Sequence, residues 1–252
     1  MLFSAWRCIA CGAPNRGHDI ALSEQGHCAQ CSATWRDRAV LAGVLQGIGL
    51  TGATIPEMPS DWSRPIIGIA DSTVVAAALA SRFTYTNTSL GRFPILDLLD
   101  PPPQSRGQAQ IVTCSDVFEH VQGPVEKAAA ALLSLLAPGG FAVMSVPFPA
   151  HRQGERYPGL QSWRAWPEPG ATGIEWVDTA GQKTRDVDPE FHPSPEPCLV
   201  LRGFTPHTFD QLLIEAGFSP VVEVDEVRRF GIPRLTSQEC PVRIAYRPLR
   251  AP

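Results

Sequence analysis

Short and long apolar runs alternate between residues 65 and 147, and this alternation limits the possible folds more than any other feature of the chain. Residues 65–70, 83–87, 109–114 and 141–147 have the length and apolar character of buried strands. Residues 73–82 and 124–137 have helical spacing. Such an order predicts a parallel sheet with helices on both faces. The second helix is well marked: Pro124 suits its first turn, Val125 to Leu136 form an apolar face, and Pro138-Gly139-Gly140 stops it. A third helix is expected over 205–218, capped by Thr205, entered through Pro206 and ended at Gly217. The last two strands, in "SPVVEVDEV" and "CPVRIAYRP", are joined by a dozen residues without helical periodicity. They are therefore expected to pair antiparallel. The fold class that follows is α/β, with a mostly parallel sheet closed by an antiparallel C-terminal strand.

The composition excludes several functions. A formal net charge of −4 argues against nucleic acid, whose phosphates require clustered Lys and Arg. No run of 18 apolar residues exists, so no membrane span is expected. The start, "MLFSAWRCIACG", lacks the pattern of a signal peptide, and a cytoplasmic location is expected. Thiols stay reduced in that compartment, so seven cysteines point to metal or simple burial and not to disulfides.

Four of those cysteines form two knuckles. Cys8-x-x-Cys11 and Cys28-x-x-Cys31 are separated by sixteen residues, within the spacing of a four-thiolate zinc site. Gly12 and Ser32 suit the tight turns that follow. With all four positions filled by cysteine, the expected zinc is structural, and it stabilises a segment too short to build a core. His18 and His27 read as exposed loop residues. Residues 1–60 balance four Arg against four acidic residues, so the module reads as a lid or docking element, not an RNA grip. Residues 36–50 have helical spacing, and 51–64 read as a linker. The expected division is a ribbon and helix over 1–50, a linker over 51–64, and a larger domain over 65–252. Prolines crowding 147–206 mark an insertion at about 148–204 in that larger domain.

At "IVTCSDVFEHVQGPVEKAAAALLSLLAPGGFAVMSVPF" (111–148) the chain resembles a class I S-adenosylmethionine-dependent methyltransferase. The acidic-apolar "SDVFEHV" turn, the helix ending in "LAPGG" and the following strand carry the likeness, which spans 65–148 and extends to 247 through the closing elements. The four-cysteine ribbon ending in Arg36-Asp37-Arg38-Ala39, the "FTYTNTSL" stretch and "DPEFHP" (188–193) resemble a ribbon-bearing subgroup of that family. The resemblance implies a Rossmann-like methyltransferase sheet with a small zinc ribbon, S-adenosylmethionine as cofactor, and a small-molecule methyl acceptor of the sugar or secondary-metabolite kind, methylated at oxygen or nitrogen.

The resemblance also implies a cofactor site. The family's acidic-x-Gly-x-Gly motif falls on Gly68-x-Ala70-x-Ser72, with Asp71 inside it. Ala and Ser keep side chains small where backbone must approach the cofactor. Asn87 and Thr88 stand where an acidic residue usually grips the ribose. Asp97, with Leu98, matches the position near the adenine amino group, although a surface carboxylate is an equal reading. Ser115 and Asp116 match positions on the sulfonium side. For removal of the acceptor's proton His120 and His192 are the candidate bases, with Glu190 a weaker one. Trp163, Trp166, Trp176, Tyr157 and Phe191 wall an acceptor pocket or pack the insertion onto the sheet, and Cys114 and Cys198 read as buried small side chains. A rival reading is a non-catalytic methyltransferase-like domain that binds a protein partner through its ribbon. Nicotinamide chemistry is disfavoured because G-x-G-x-x-G is missing.

Overall fold

The computed structural model describes residues 4–17, 26–148, 152–165, 173–192, 198–225, 230, 232 and 242–249. The N-terminal hairpin pairs β1 (Ser4–Arg7) with β2 (Pro14–Gly17), and α1 (Trp35–Gly47) follows the second knuckle. The core alternates as expected: β3 (Asp61–Ile69), α2 (Thr73–Ala80), β4 (Phe83–Thr88), β5 (Ala109–Ser115), α3 (Val125–Leu135) and β6 (Leu136–Ser145). The insertion carries short strands β7 (Gly154–Glu155), β8 (Leu160–Ala165), β9 (Ile174–Asp178), β10 (Lys183–Asp186), β11 (Phe191–His192), β12 (Cys198–Leu199) and β13 (Arg202–Gly203). Helix α4 (Pro206–Glu215) and strands β14 (Val221–Glu223) and β15 (Arg243–Tyr246) close the chain.

The six-stranded sheet has the order β14-β15-β6-β5-β3-β4. Strands β4, β3, β5 and β6 run parallel, while β15 is antiparallel to both β6 and β14. Period-two alternation divides the side chains between the two faces. Ile111, Phe141 and Val143 join Val40, Leu41, Val44 and Leu79 on one face. Val112, Ala142 and Met144 join Leu132, Leu135, Phe209 and Leu213 on the other. Each such buried aliphatic or aromatic side chain contributes about 1.5–3 kcal/mol.

The packing adds two features to the sequence reading. Helix α1, grouped there with the ribbon, lies in the apolar cluster of the sheet, as do Ile55 and Met58 of the expected linker. The cause is the continuous apolar stripe of α1, which a ribbon of about thirty residues has no core to cover. Beyond β4, a single bridge joins Ser89 to Ile95, and β4 is the last strand at that edge among the described residues.

Candidate active site

The strands β3 and β5 end at a cavity of about 540 Å³, bounded by the first turn of α1, residues 70–72, Ser115, Asp116, His120 and His192. A parallel sheet opens such crevices at its carboxyl edge, where strand ends diverge into helices packed on opposite faces.

The loop after β3 is built around a carboxylate. Gly68 has no room for a side chain: a Cβ there would lie 2.1 Å from Tyr85 Oη and 2.5 Å from Asp71 Oδ2. The Asp71 carboxylate, three residues along the chain, folds back into that space. Tyr85 Oη donates to Asp71 Oδ2 at 2.8 Å, and the Thr113 hydroxyl donates to the same oxygen. Burial pushes the Asp71 carboxyl up to about 6, against the lowering effect of both hydrogen bonds, and burial likewise pushes the Tyr85 phenol up. Ala70 takes the left-handed conformation at φ 56°, and its N–H donates to Thr88 O at 2.7 Å. Thr88 is buried, its hydroxyl given to Gly68 O at 2.8 Å. Asn87 is occupied with the loop itself: its amide oxygen accepts from Asp71 N at 3.2 Å and its amide nitrogen donates to Asp71 O at 3.0 Å. Of the loop residues, Ala70, Asp71 and Ser72 border the cavity.

Two helix caps meet across this loop. Thr34 caps α1 and Asp37 completes the box, Oδ2 accepting from Thr34 N at 2.8 Å and from Thr34 Oγ1 at 2.9 Å. The other oxygen of Asp37 accepts from Ser72 Oγ at 2.6 Å, while Ser72 Oγ accepts from Val75 N to cap α2. One carboxylate therefore fixes the starts of both helices, which places N-terminal N–H groups beside the cavity. The adjacent Arg36 reaches Asp116 at 2.6 Å. Asp116, at φ 54°, also accepts from Ser145 Oγ at 3.4 Å, and Ser145 and Ser115 share a 2.6 Å contact. Arg36 and Asp37 carry no local signal of a site; they enter the sequence reading only as part of the helix that ends the ribbon.

The remaining predicted cofactor positions lie apart. Asp97 Oδ1 accepts from Leu99 N at 2.7 Å in a local turn, and Leu98 is buried in the sheet's second core. Neither lines the cavity.

Facing the loop is the histidine pair. His120 ends a 3₁₀ turn (Phe118–His120) after β5, and His192 lies on β11 of the insertion. His120 Nε2 is 3.0 Å from His192 Nδ1. His120 Nδ1 lies 2.8 Å from Leu199 O and must donate to it, which leaves Nε2 as the lone-pair nitrogen of the neutral ring. Burial holds His120 below the ordinary imidazole range. Arg202 braces the turn, donating to Phe118 O, Val121 O and Gly123 O at 2.9, 2.7 and 3.1 Å. Glu190 lies outside the cavity lining and pairs with Arg156 at 3.1 Å.

The aromatic residues of the insertion pack on themselves. Tyr157 is buried against Trp176 with its hydroxyl donated to Asp186, and Trp163 rests on Phe191. None of these lines the cavity, and Trp166 lies outside the described residues. Cys114 is buried as expected. Cys198 is not: β12 pairs beside His192 at the cavity wall, which leaves this cysteine exposed.

At the ribbon, Cys8 Sγ is 3.6 Å from Cys31 Sγ, and Cys11 Sγ is 3.7 Å from Cys28 Sγ. Those are the edges of a tetrahedron with arms of about 2.3 Å, the zinc–sulfur distance. The knuckle turns close through Gly12 at φ 76° and Ser32 at φ 60°. Arg38 of α1, fully buried over Trp6, donates to Gly26 O and Ala33 O and so ties the second knuckle to the helix. His27 meets Ser32 O at 3.1 Å and borders the cavity, while His18 lies outside the described residues.

A family profile described as a methyltransferase domain matches residues 96–223, half of the chain, beginning beyond the Ala70–Ser72 loop. No curated protein sequence matches. Among solved structures, the S-adenosylmethionine-bound amino pentose methyltransferase CalS10 from Micromonospora echinaspora is similar at 18% identity, over 86% of this chain and 92% of that one, with a TM-score of 0.46. An S-adenosylmethionine-dependent methyltransferase from Clostridium acetobutylicum is similar at 9% identity over 85% and 91%, with a TM-score of 0.49. The CurJ carbon methyltransferase is similar at 13% identity over 82% of this chain, which spans 54% of that structure, with a TM-score of 0.47. The profile match, together with a six-stranded sheet closed by an antiparallel strand, makes this chain a member of the class I S-adenosylmethionine-dependent methyltransferase family.

Proposed function

We propose that the cavity binds S-adenosylmethionine and that the chain methylates an oxygen or nitrogen of a small molecule, of the sugar or secondary-metabolite kind. The observation that carries this reading is that the cavity stays open although the motif glycines are replaced: Asp71 turns its carboxylate back onto Gly68, and Ala70 and Ser72 present small side chains to the cavity. The lining fits an amino-acid moiety. Arg36 supplies a cation for a carboxylate, Asp37 and Asp116 supply acceptors for an ammonium group, and the caps of α1 and α2 supply oriented dipoles. When bound, the cofactor supplies an electrophilic methyl group on a sulfonium. The chain's own part is to hold an acceptor in line with it, worth about 7–11 kcal/mol when alignment is good. The His120–His192 end of the cavity then handles the proton that a hydroxyl or amine loses.

The four cysteines hold a structural zinc in this reading. Its task reaches the site, because Arg38 links the second knuckle to the helix that bears Arg36 and Asp37.

Calorimetric titration with S-adenosylmethionine and S-adenosylhomocysteine tests the proposal. Micromolar binding of both, lost in Ser72→Trp, is expected. Absence of heat with either ligand in the zinc-loaded full chain overturns it and leaves the partner-binding reading.

A further inference from the structure

Among the described residues near the cavity, Glu119 is a buried ionisable group with neither oxygen hydrogen-bonded. Its side chain is 1% exposed, and neither carboxylate oxygen accepts a hydrogen bond from another described residue. Burial, with Asp116 nearby, pushes its carboxyl well above the usual range. Burial disfavours the anionic form of such a carboxyl, and a bound cation removes that penalty. Glu119 Oε1 points at the histidine pair, 3.8 Å from His120 Nε2 and 3.5 Å from His192 Nδ1, too far for a good hydrogen bond to either.

We infer that Glu119, His120 and His192 form a second metal site, one for a divalent transition-metal ion, with an open coordination position facing the cavity. The three ligand atoms are separated by 3.0, 3.5 and 3.8 Å. A point equidistant from atoms so spaced lies about 2.0 Å from each, the distance of zinc or a similar ion from imidazole nitrogen and carboxylate oxygen. The surroundings are those of metal-binding imidazoles. The Leu199 carbonyl accepts from His120 Nδ1–H, which fixes the tautomer and leaves Nε2 with the lone pair a metal ligand needs. Leu201 N donates to the Glu119 carbonyl at 2.8 Å, and the Arg202 guanidinium donates to the Phe118, Val121 and Gly123 carbonyls, so the backbone that carries Glu119 and His120 is fixed from both sides. Two imidazoles and one carboxylate suit zinc, iron, cobalt or manganese, and leave further positions unfilled.

The four-cysteine cluster is separate in ligand type, all thiolate and closed. The new site has no sulfur and borders the cavity through His120 and His192. Resting on the reading of that cavity as the acceptor site, the open position selects an acceptor whose reacting group is a hydroxyl or phenol oxygen, because a hard or borderline ion binds oxygen and lowers its pKa.

The test uses the full chain with the ribbon already loaded with zinc. Equilibrium dialysis against Co²⁺, followed by metal analysis and visible spectroscopy, is expected to show one further ion per chain, with nitrogen–oxygen and not thiolate ligand bands. Glu119→Gln and His192→Ala should each weaken that second ion at least tenfold while retaining the ribbon zinc. Glu119→Gln keeps the size of the side chain and removes the buried ionisable group, so it should fold at least as stably without metal. Wild type binding no ion beyond the ribbon zinc, or both variants binding cobalt as wild type does, overturns the site. Catechol added to the cobalt form should change its spectrum; an unchanged spectrum overturns the oxygen-acceptor clause alone. Cobalt binding without S-adenosylhomocysteine binding would keep the metal site and overturn the cavity reading.

Discussion

Arg36 Nη1 stands 2.6 Å from the Asp116 carboxylate, joining the first turn of α1 to the end of β5. Both residues border the cavity, and the guanidinium is about a third exposed, so the pair itself adds little stability. Its value lies in position. The helix that follows the four-cysteine segment brings a cation to the strand ends, where the proposed cofactor would present its carboxylate.

Replacing Arg36 by Gln should therefore reduce affinity for S-adenosylhomocysteine tenfold or more, about 1.4 kcal/mol, with little change in melting temperature. Isothermal titration of the two proteins decides this; equal dissociation constants remove Arg36 from the binding site.

Asp71 makes the pH dependence specific. Its folded pKa of about 6 lies above the ordinary 3.8, so the folded state binds the extra proton. The contribution to stability is present below pH 4 and is lost as pH rises through 6, by about 3 kcal/mol in all. In Asp71→Asn that portion of the profile should flatten. Urea denaturation of both proteins between pH 4 and 7 measures the difference, and parallel profiles would show that Asp71 does not titrate in this range.

Gly68 has no room for a methyl group. Gly68→Ala should destabilise the chain by about 1–3 kcal/mol, since Tyr85 Oη and Asp71 Oδ2 occupy the space. In a Tyr85→Phe background the nearer obstacle is gone, and the cost should fall. A double-mutant cycle by chemical denaturation checks the coupling; additive costs would contradict the packing described for this loop.

Zinc removal should be felt at a distance. Cys28→Ser is expected to release the ribbon's metal and, through Arg38 and α1, to weaken S-adenosylhomocysteine binding at least tenfold while the sheet persists. Zinc content, far-ultraviolet circular dichroism and calorimetry together test this. Full cofactor affinity in a zinc-free chain would confine the metal to the hairpin.

Much of the molecule is present in local pattern. The strands β3, β5 and β6 and the helices α2, α3 and α4 follow from apolar periodicity and from Pro and Gly punctuation, and the knuckles from cysteine spacing. These signals act within a turn or a strand, where backbone geometry and burial of one face are decided by neighbouring residues. Asn87 shows where local pattern ends. Its place at the end of β4 is legible, but its use as a clamp on Asp71 depends on which way the loop folds. The same holds for Asp37, whose second oxygen serves a helix cap 35 residues away.

By itself the sequence determined an α/β sheet, its antiparallel closing strand and a cluster of four thiols, because each rests on spacing that chain geometry converts directly into placement. Tertiary structure alone decided that a carboxylate three residues along fills the space beside Gly68, that α1 belongs to the sheet's core, and that His192 meets His120 across 72 residues beside a buried Glu119. Those outcomes depend on which side chains are left without water or a partner once distant segments pack, and no local periodicity encodes that.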